Sequence, residues 1–152
     1  MDLRLHRRLS PLGLTAALLL ALAGCQTLAG SGEGKSQFVE HRAKLGEERA
    51  AIERAAVQGD LTSIRTQITA IRTRLATIES QSSAMNMIDR QHLAIQGATA
   101  RRIMAEAERW MDAGDAESVR TEVDRLGGTL IEIDTILDRT IRGSKPEESA
   151  TG

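Results

Sequence analysis

The stretch Gly59-Asp60-Leu61-Thr62-Ser63-Ile64-Arg65-Thr66-Gln67-Ile68 returns in altered form at 114–123, as Gly114-Asp115-Ala116-Glu117-Ser118-Val119-Arg120-Thr121-Glu122-Val123. Five of the ten positions are identical, and three more exchange Ile for Val or Gln for Glu. In both copies the glycine can take the left-handed conformation that ends a helix, and the aspartate can cap the next helix. Each copy therefore predicts a turn between two helices, and the 55-residue spacing predicts two repeated helical hairpins.

Apolar residues follow both turns at alternating steps of three and four, the spacing of one helix face. They are Leu61, Ile64, Ile68, Ile71, Leu75 and Ile78 after the first turn, and Val119, Val123, Leu126, Leu130, Ile133 and Leu137 after the second. In the two segments that precede the turns, we expect the core positions to be Phe38, Leu45 and Ile52, and then Ile88, Ile95, Ile103 and Trp110. The pattern predicts an all-α fold, an antiparallel up-down-up-down four-helix bundle over 37–142.

The join between the two hairpins, residues 80–83, contains neither glycine nor proline. If the second helix continued through it, the apolar frame would place Asp89, His92 and Gln96 in the core. We therefore predict a turn, with Ser82 or Ser83 capping the third helix. The alternative is one helix from Asp60 to Ala113, which gives three helices with a long central one.

Two glycines interrupt the last predicted helix at Gly127-Gly128. Each glycine costs about 1 kcal/mol relative to alanine inside a helix. Their position therefore predicts either a kink or a close contact with another helix.

Leu22-Ala23-Gly24-Cys25 ends an N-terminal segment of a different kind. Basic residues open it, and the apolar run over 12–22 is shorter than the ~20 residues that a membrane-spanning helix needs. This order of regions is typical of a secretory signal. The segment resembles the lipobox of bacterial lipoproteins, and the resemblance covers residues 1–25. It implies that residues 1–24 are a signal peptide, that cleavage falls between Gly24 and Cys25, and that Cys25 carries acyl chains such as palmitate.

The residues after Cys25 predict an anchor with a spacer. Residues 26–36 hold three glycines and two serines, so we expect 25–36 to be the lipidated cysteine and a flexible tether. The polar stretch 143–152 is expected to be a disordered tail. Gln26 and Thr27 stand where lipoproteins retained at the inner membrane carry aspartate. The resemblance therefore implies an outer-membrane location, facing the periplasm.

Composition argues against several function classes. Formal net charge is −1 and no basic stripe is present, so nucleic acid is not an expected partner. The sequence holds no Ser-His-Asp arrangement, no His-Glu-x-x-His spacing and no phosphate-binding glycine loop. We expect no enzyme activity, no small-molecule substrate and no cofactor beyond the lipid. Aromatic content is 1%, and we expect Trp110 to close the core at the end that holds the two Gly-Asp turns.

Four side chains are candidate metal ligands: His41, Met85, Met87 and His92. In the predicted bundle they fall at the membrane-proximal end, and thioether with imidazole suits copper. Methionine also fills gaps in cores, and a single histidine near a helix start is usually solvated. Because Met85 and Met87 point to different faces and His92 lies about 10 Å further along the axis, we expect no stoichiometric metal.

The predicted function is that of a lipid-anchored envelope protein that binds, assembles or supports other components without catalysis. Partners are the membrane, through the lipid, and an envelope protein or a second copy of the chain. No partner-binding residue is predicted, although a stripe of threonines on the second helix offers either plain surface or a docking face: Thr62, Thr66, Thr69, Thr73 and Thr77. The alternative function is a metal or envelope-stress sensor that uses the four Met and His side chains.

Overall fold

The computed structural model describes the backbone of residues 30–143 and the side chains of residues 36–143. Within that range the chain forms four α-helices and no strand. They are α1 (Gly30–Gln58), α2 (Leu61–Ser80), α3 (Met87–Ala113) and α4 (Ala116–Arg142), with a short 3₁₀ helix, Ser82–Ala84, between α2 and α3. The predicted all-α class and the four helices are confirmed, and the alternative with one long central helix is wrong.

Several predictions fall outside the described residues: the signal peptide at 1–24, the lipidated Cys25 and most of the tail after Gly143. By its internal contacts the chain divides into Met1–Gly30 and Ser31–Gly152, and all described residues except Gly30 belong to the second unit. α1 begins at Gly30, so residues 30–36 of the predicted tether are helical. Glycine makes a helix less favourable but does not block its backbone hydrogen bonds as proline does.

The two Gly-Asp turns have matching hydrogen bonds, as the repeat predicts. Gly59 has φ 69° and Gly114 has φ 73°, both in the left-handed region. Asp60 N donates to Ala55 O at 3.0 Å, and Asp115 N donates to Trp110 O at the same distance. Both aspartates then cap the next helix, because their side chains accept from the backbone N–H three residues on. The predicted turns and caps are confirmed.

The turn between the hairpins differs in its cap. Ser82 and Ser83 lie inside the 3₁₀ helix, and neither caps α3. The cap is Asn86, whose backbone is extended (φ −64°, ψ 162°) and whose side chain accepts from Asp89 N. An N-cap residue needs this non-helical backbone, which serines within a 3₁₀ turn do not have. The serine cap was therefore wrong, and the turn itself is confirmed.

The cores of α2 and α4 follow the predicted seams. Leu61 is half-buried, and every other seam residue of these two helices is buried, none with more than 1% exposure. Phe38, Leu45 and Ile52 supply the matching buried face of α1. These apolar seams meet in one hydrophobic core.

The core face of α3 is not the predicted one. Ile103 is buried as expected, but Ile88 is 41% exposed, Ile95 62% and Trp110 36%. The face that packs inward consists instead mainly of small residues and methionine, with two larger aliphatic residues and one aspartate. They are Met85 just before the helix, then Asp89, Leu93, Gly97, Ala100, Ile103, Met104, Ala107 and Met111. Trp110 therefore does not close the core.

Side-chain contacts connect the helices in a ring. Arg42 of α1 reaches Asp134 of α4 at 2.8 Å, Glu48 of α1 pairs with Arg74 of α2 at 3.0 Å, and Arg101 of α3 pairs with Glu79 of α2 at 2.8 Å. These contacts fit the predicted four-helix bundle. One end holds both Gly-Asp turns, and the other holds the 81–86 turn.

The closest backbone packing joins α3 to α4. Ala100 and Ala107 stand on the buried face of α3 at the positions where the repeat places Leu45 and Ile52 in α1. Because alanine side chains end at Cβ, two helix axes can approach more closely across them than across leucine or isoleucine.

Gly127 marks the close contact predicted for the glycine pair. α4 runs without a break through Gly127 and Gly128. A Cβ on Gly127 would lie 3.0 Å from Glu53 Oε1 of α1, whereas nothing lies within 4 Å of the same position on Gly128. Gly127 thus leaves room for the Glu53 side chain.

Candidate functional site

A buried acidic residue lies where α3 begins. Asp89 is fully buried, and its backbone N–H donates to Asn86 Oδ1 at 2.9 Å. Asn86 Nδ2 donates in return to Asp89 Oδ2 at 2.6 Å. This reciprocal arrangement resembles a capping box, in which the cap and the third helical residue satisfy each other. It fixes the start of α3.

Asp89 also joins α3 to the last turn of α4. Arg139 Nε lies 2.9 Å from Asp89 Oδ1, but without the alignment of a hydrogen bond, so the contact is an ion pair. Thr140 Oγ1 lies 3.4 Å from Asp89 Oδ2. A buried charge is tolerated only when it is paired, so Arg139 supplies the countercharge that the Asp89 carboxylate needs. The Asn86-x-x-Asp89 spacing is a sequence signal for the cap of α3, but it does not indicate the ion pair with Arg139.

A second polar cluster joins α1 to α2 at the same end. His41 Nε2 lies 3.1 Å from Gln81 Oε1, at the start of the 81–86 turn. About two turns further along both helices, Arg74 Nε and Nη2 both donate to Glu48 Oε1, at 3.3 and 3.0 Å. Each of these side chains has a protein partner, so the cluster serves the packing of α1 on α2.

The predicted metal ligands have different surroundings. Met85 is buried in the core, whereas Met87 is 64% exposed and His92 is exposed on α3. His41 is half-buried beside Gln81 and Arg74. Across residues 36–143, no group of three or more His, Cys, Asp or Glu side chains is arranged to hold a metal ion.

The threonine stripe borders a shallow groove of about 510 Å³, lined by Thr66, Thr69, Ala70, Thr73, Thr77, Glu48 and Arg74. Its hydroxyls are used locally. Thr66, Thr69, Thr73 and Thr77 each donate to the carbonyl oxygen four residues earlier, at 3.0 to 3.1 Å. The outward surface of α2 is therefore polar, and the hydroxyl donors of these four threonines are already occupied.

The outward surface of α3 has a different character. We call it the α3 outer face, an arc of a little over a third of the helix circumference. It includes the polar residues Gln91, His92, Glu106 and Arg109, together with six exposed residues: Ile88, Ile95, Ala98, Arg102, Ala105 and Trp110. Five of the six are apolar. From Ile88 to Trp110 the face spans about 33 Å at 1.5 Å per residue. Tryptophan and arginine are the residue types most enriched in binding hot spots, so this surface is the best candidate for an interaction site.

Arg102 is an exposed charge of the α3 outer face, and it has no hydrogen bond or ion pair with any residue that the structure describes. Its neighbours on the helix are paired. Arg101 binds both oxygens of Glu79 at 2.8 Å, and Arg109 pairs with Glu106. The face therefore presents one unpaired positive charge, Arg102, between exposed apolar side chains and the paired Arg109.

The capping aspartates are the acids whose titration is perturbed. The Ser63 hydroxyl and backbone N–H, both donating to Asp60, lower the pKa of that carboxyl. The Ser118 backbone N–H and hydroxyl lower the pKa of Asp115 in the same way. On Arg42, the hydrogen bond to Asp134 raises the pKa of the guanidinium. All three perturbations come from structural contacts, which accounts for them without catalysis.

No known protein family, curated protein or solved structure matches this chain. Among the described residues, no helix is long and apolar enough to cross a membrane.

Proposed function

We propose that the protein is a lipid-anchored component of a bacterial cell envelope that acts by binding a protein partner. The observation that carries the proposal is Leu22-Ala23-Gly24-Cys25, placed after a basic start and a short apolar run. In this proposal Cys25 carries the acyl chains, and the following domain is an antiparallel four-helix bundle of two repeated hairpins. The α3 outer face supports a binding role, because it exposes Ile95 and Trp110 to solvent.

The proposed location is the outer membrane, facing the periplasm. More than one acyl chain is needed for stable attachment, since a single chain gives only reversible binding. The chain offers no basic cluster next to Cys25 that would assist it. In this proposal the acyl chains on Cys25 alone hold the protein at the membrane.

Cell fractionation with a labelled fatty acid tests the anchor. We expect the native chain to carry the label and to sediment with membranes, and Cys25→Ser to lose the label and leave the membrane or stay unprocessed. Ser36→Ala, outside the signal and equally conservative, is the control for expression. A Cys25→Ser protein with unchanged mass and unchanged fractionation would refute lipidation.

Membrane separation tests the location. We expect the native chain in the outer-membrane fraction and Gln26→Asp in the inner-membrane fraction, because the proposed sorting depends on the residue after the cysteine. Gln26→Asn is the matched neutral control. Native protein in the inner-membrane fraction would contradict the location and leave the anchor intact.

The sensor alternative is tested on the same purified protein by its metal content. We expect no stoichiometric copper, and no change of function in the His41→Ala, His92→Ala double variant. Tight copper binding that this double variant abolishes would favour the sensor.

A further inference from the structure

We propose that two copies of the chain exchange their α3–α4 hairpins, so that the α1–α2 hairpin of each copy packs on the α3–α4 hairpin of the other. In this dimer the 81–86 turn straightens, and α2 and α3 become coaxial. The closed monomer described above is the other state of the same chain. Exchange uses only contacts within residues 36–143, so it goes beyond the proposed function and does not depend on the lipid anchor.

The backbone of the 81–86 turn allows it to straighten. Among the described residues, positive φ occurs only at Gly59, Gly114 and Gly143, and none of these lies in this turn. Ser82–Ala84 already form a 3₁₀ helix, whereas Met85 and Asn86 are extended, with ψ 156° and 162°. The turn contains neither glycine nor proline. Rotation chiefly at these two residues therefore joins α2 to α3 in one helix, which the turns at Gly59 and Gly114 do not offer.

The buried faces of α2 and α3 have the same direction along such a helix. From Ile64 to Ile78 the buried residues follow steps of 4, 3, 4 and 3, and the next buried residue, Met85, comes seven residues later. At about 100° per residue, the centres of the buried faces of α2 and α3 lie within about 20° of each other. The straightened helix thus has one core face from Ile64 to Met111. A closed turn does not require this agreement, because it can set the two helices at any rotation.

The contacts between the hairpins select a second copy as the partner. Because an exchanged dimer forms the same contacts between copies as the monomer forms within one chain, the other copy supplies each partner in its native position. The buried pair of Asp89 with Arg139 lies within the α3–α4 hairpin, so this charge stays paired in both states. Three ion pairs join α2 to α3 and are formed again between copies: Arg65–Asp112, Arg72–Glu108 and Arg101–Glu79.

Substitutions in the turn separate the two states. Met87 is the first residue of α3, is 64% exposed, and follows Asn86, whose extended backbone suits a residue before proline. Met87→Pro therefore fits the closed monomer but breaks a helix that continues through the turn. Met87→Ala removes the same side chain and keeps the backbone N–H, so it is the matched control. Asn86→Ala has the opposite effect, because only the closed turn uses Asn86 as a cap.

The mass of the detergent-solubilised full-length protein tests the hinge. It is measured by light scattering after refolding at a series of concentrations, and circular dichroism checks that each variant is helical. We expect dimers from the native chain and Met87→Ala, and monomers alone from Met87→Pro. Asn86→Ala should dimerise at a concentration at least about tenfold lower, since each dimer loses two caps in the native chain. A native chain that stays monomeric, or Met87→Pro that dimerises like the native chain, would overturn the proposal.

A charge exchange distinguishes hairpin exchange from association of closed monomers. One chain carries Arg65→Glu with Arg72→Glu, and the other carries Glu108→Arg with Asp112→Arg. Either chain alone places like charges between α2 and α3, whereas an exchanged heterodimer pairs opposite charges in both of its bundles. We expect the two chains, refolded together, to form a heterodimer that melts at a higher temperature than either chain alone.

Met87→Pro in both chains is the control for this mixture. The two chains have opposite added charges and attract one another even without exchange, but only exchange needs a straight turn. We expect Met87→Pro to abolish both the heterodimer and the gain in melting temperature. A heterodimer that persists with Met87→Pro would identify association of closed monomers and refute exchange, as would a mixture that forms no heterodimer when Met87 is present.

Discussion

At the scale of single residues, Asp89 shows how a charged side chain enters an apolar core. Sequence reasoning kept it out, because an aspartate at a core position is unfavourable unless something pairs with it. The pairing comes from Arg139, fifty residues later, and from Asn86 just before the helix. The cap was open to prediction from the Asn86-x-x-Asp89 spacing. The ion pair was not, since it exists only when α4 packs on α3.

Removing Arg139 should therefore destabilise the protein strongly. Arg139→Met leaves the buried Asp89 carboxylate without its ion pair, and we expect a loss of about 3 kcal/mol in unfolding free energy. Asp89→Leu combined with Arg139→Met should recover most of that loss, because neither charge is then buried. Denaturant unfolding measures both. A double variant that loses as much as the sum of the single losses would contradict the pairing.

Replacing Gly114 or Gly128 by alanine should change the stability of the fold in opposite directions. Gly114 has φ 73°, so Gly114→Ala forces a side chain into the left-handed region and should cost about 1–2 kcal/mol. Gly128 lies inside α4 with nothing within 4 Å of an added Cβ. Gly128→Ala should therefore stabilise the protein by about 0.5–1 kcal/mol. Thermal unfolding of the two variants compares them, and shifts of the same sign would contradict this assignment.

At the scale of elements, α2 and α4 could be predicted and α3 could not. In α2 the branched apolar residues form one seam, and the other residues are mostly Thr and Arg with a few small or polar ones, so one face alone can be buried. α3 has two faces with apolar spacing, one through Ile88 and Ile95 and one through Ala100 and Met104. Hydropathy favours the isoleucine face. Close packing against α4 favours burial of the alanine face. That packing depends on a distant helix, so the sequence of α3 alone does not predict it.

Ile68 and Ile95 test which helix faces are buried and which are exposed. Ile68 has no exposed surface and Ile95 is 62% exposed. Ile68→Ala should cost about 2–5 kcal/mol through lost burial and the cavity left behind. Ile95→Ala removes the same atoms from a solvated position and should change stability by no more than about 0.5 kcal/mol. Equal effects in denaturant unfolding would mean that the two faces are misassigned.

The helix caps predict a dependence on acid. Hydrogen bonds from Ser63 and Ser118 lower the pKa of Asp60 and Asp115 in the folded protein below the ordinary value of about 3.9. Both carboxylates therefore stabilise the fold above that pH, and their contribution is lost as pH falls through the lowered pKa values. Asp60→Asn with Asp115→Asn keeps a capping side chain but removes the titration.

We expect the melting temperature of this double variant to fall less steeply between pH 5 and 2 than that of the native chain. Glu117→Gln with Asp124→Asn removes two exposed acids of α4 that have no such cap bonds, and it serves as the charge-matched control. Identical slopes for the native chain and the cap variant would contradict the assigned role of the caps.

At the scale of the whole molecule, the two hairpins share a pattern but not a packing density. Their turns share the same closing and capping hydrogen bonds, whereas α3 lies closer to α4 than α1 lies to any neighbour. The exchange of Leu45 and Ile52 for Ala100 and Ala107 accounts for the difference. α1 is held by large side chains and by polar contacts such as Arg42 with Asp134 and Asp138. A helix held in this way can open while the rest of the molecule stays folded.

Hydrogen exchange should therefore rank the helices. We expect amides of α3 and α4 to exchange only through global unfolding, and those of α1 to exchange faster through local opening. Arg42→Ala removes the ion pairs to α4 and should speed exchange in α1 while leaving the α3–α4 pair unchanged. Arg120→Ala, an exposed arginine without a partner among the described residues, should change neither. Equal protection in all four helices would show that α1 and the α3–α4 pair open together, and that the closer packing of α3 on α4 has no consequence for dynamics.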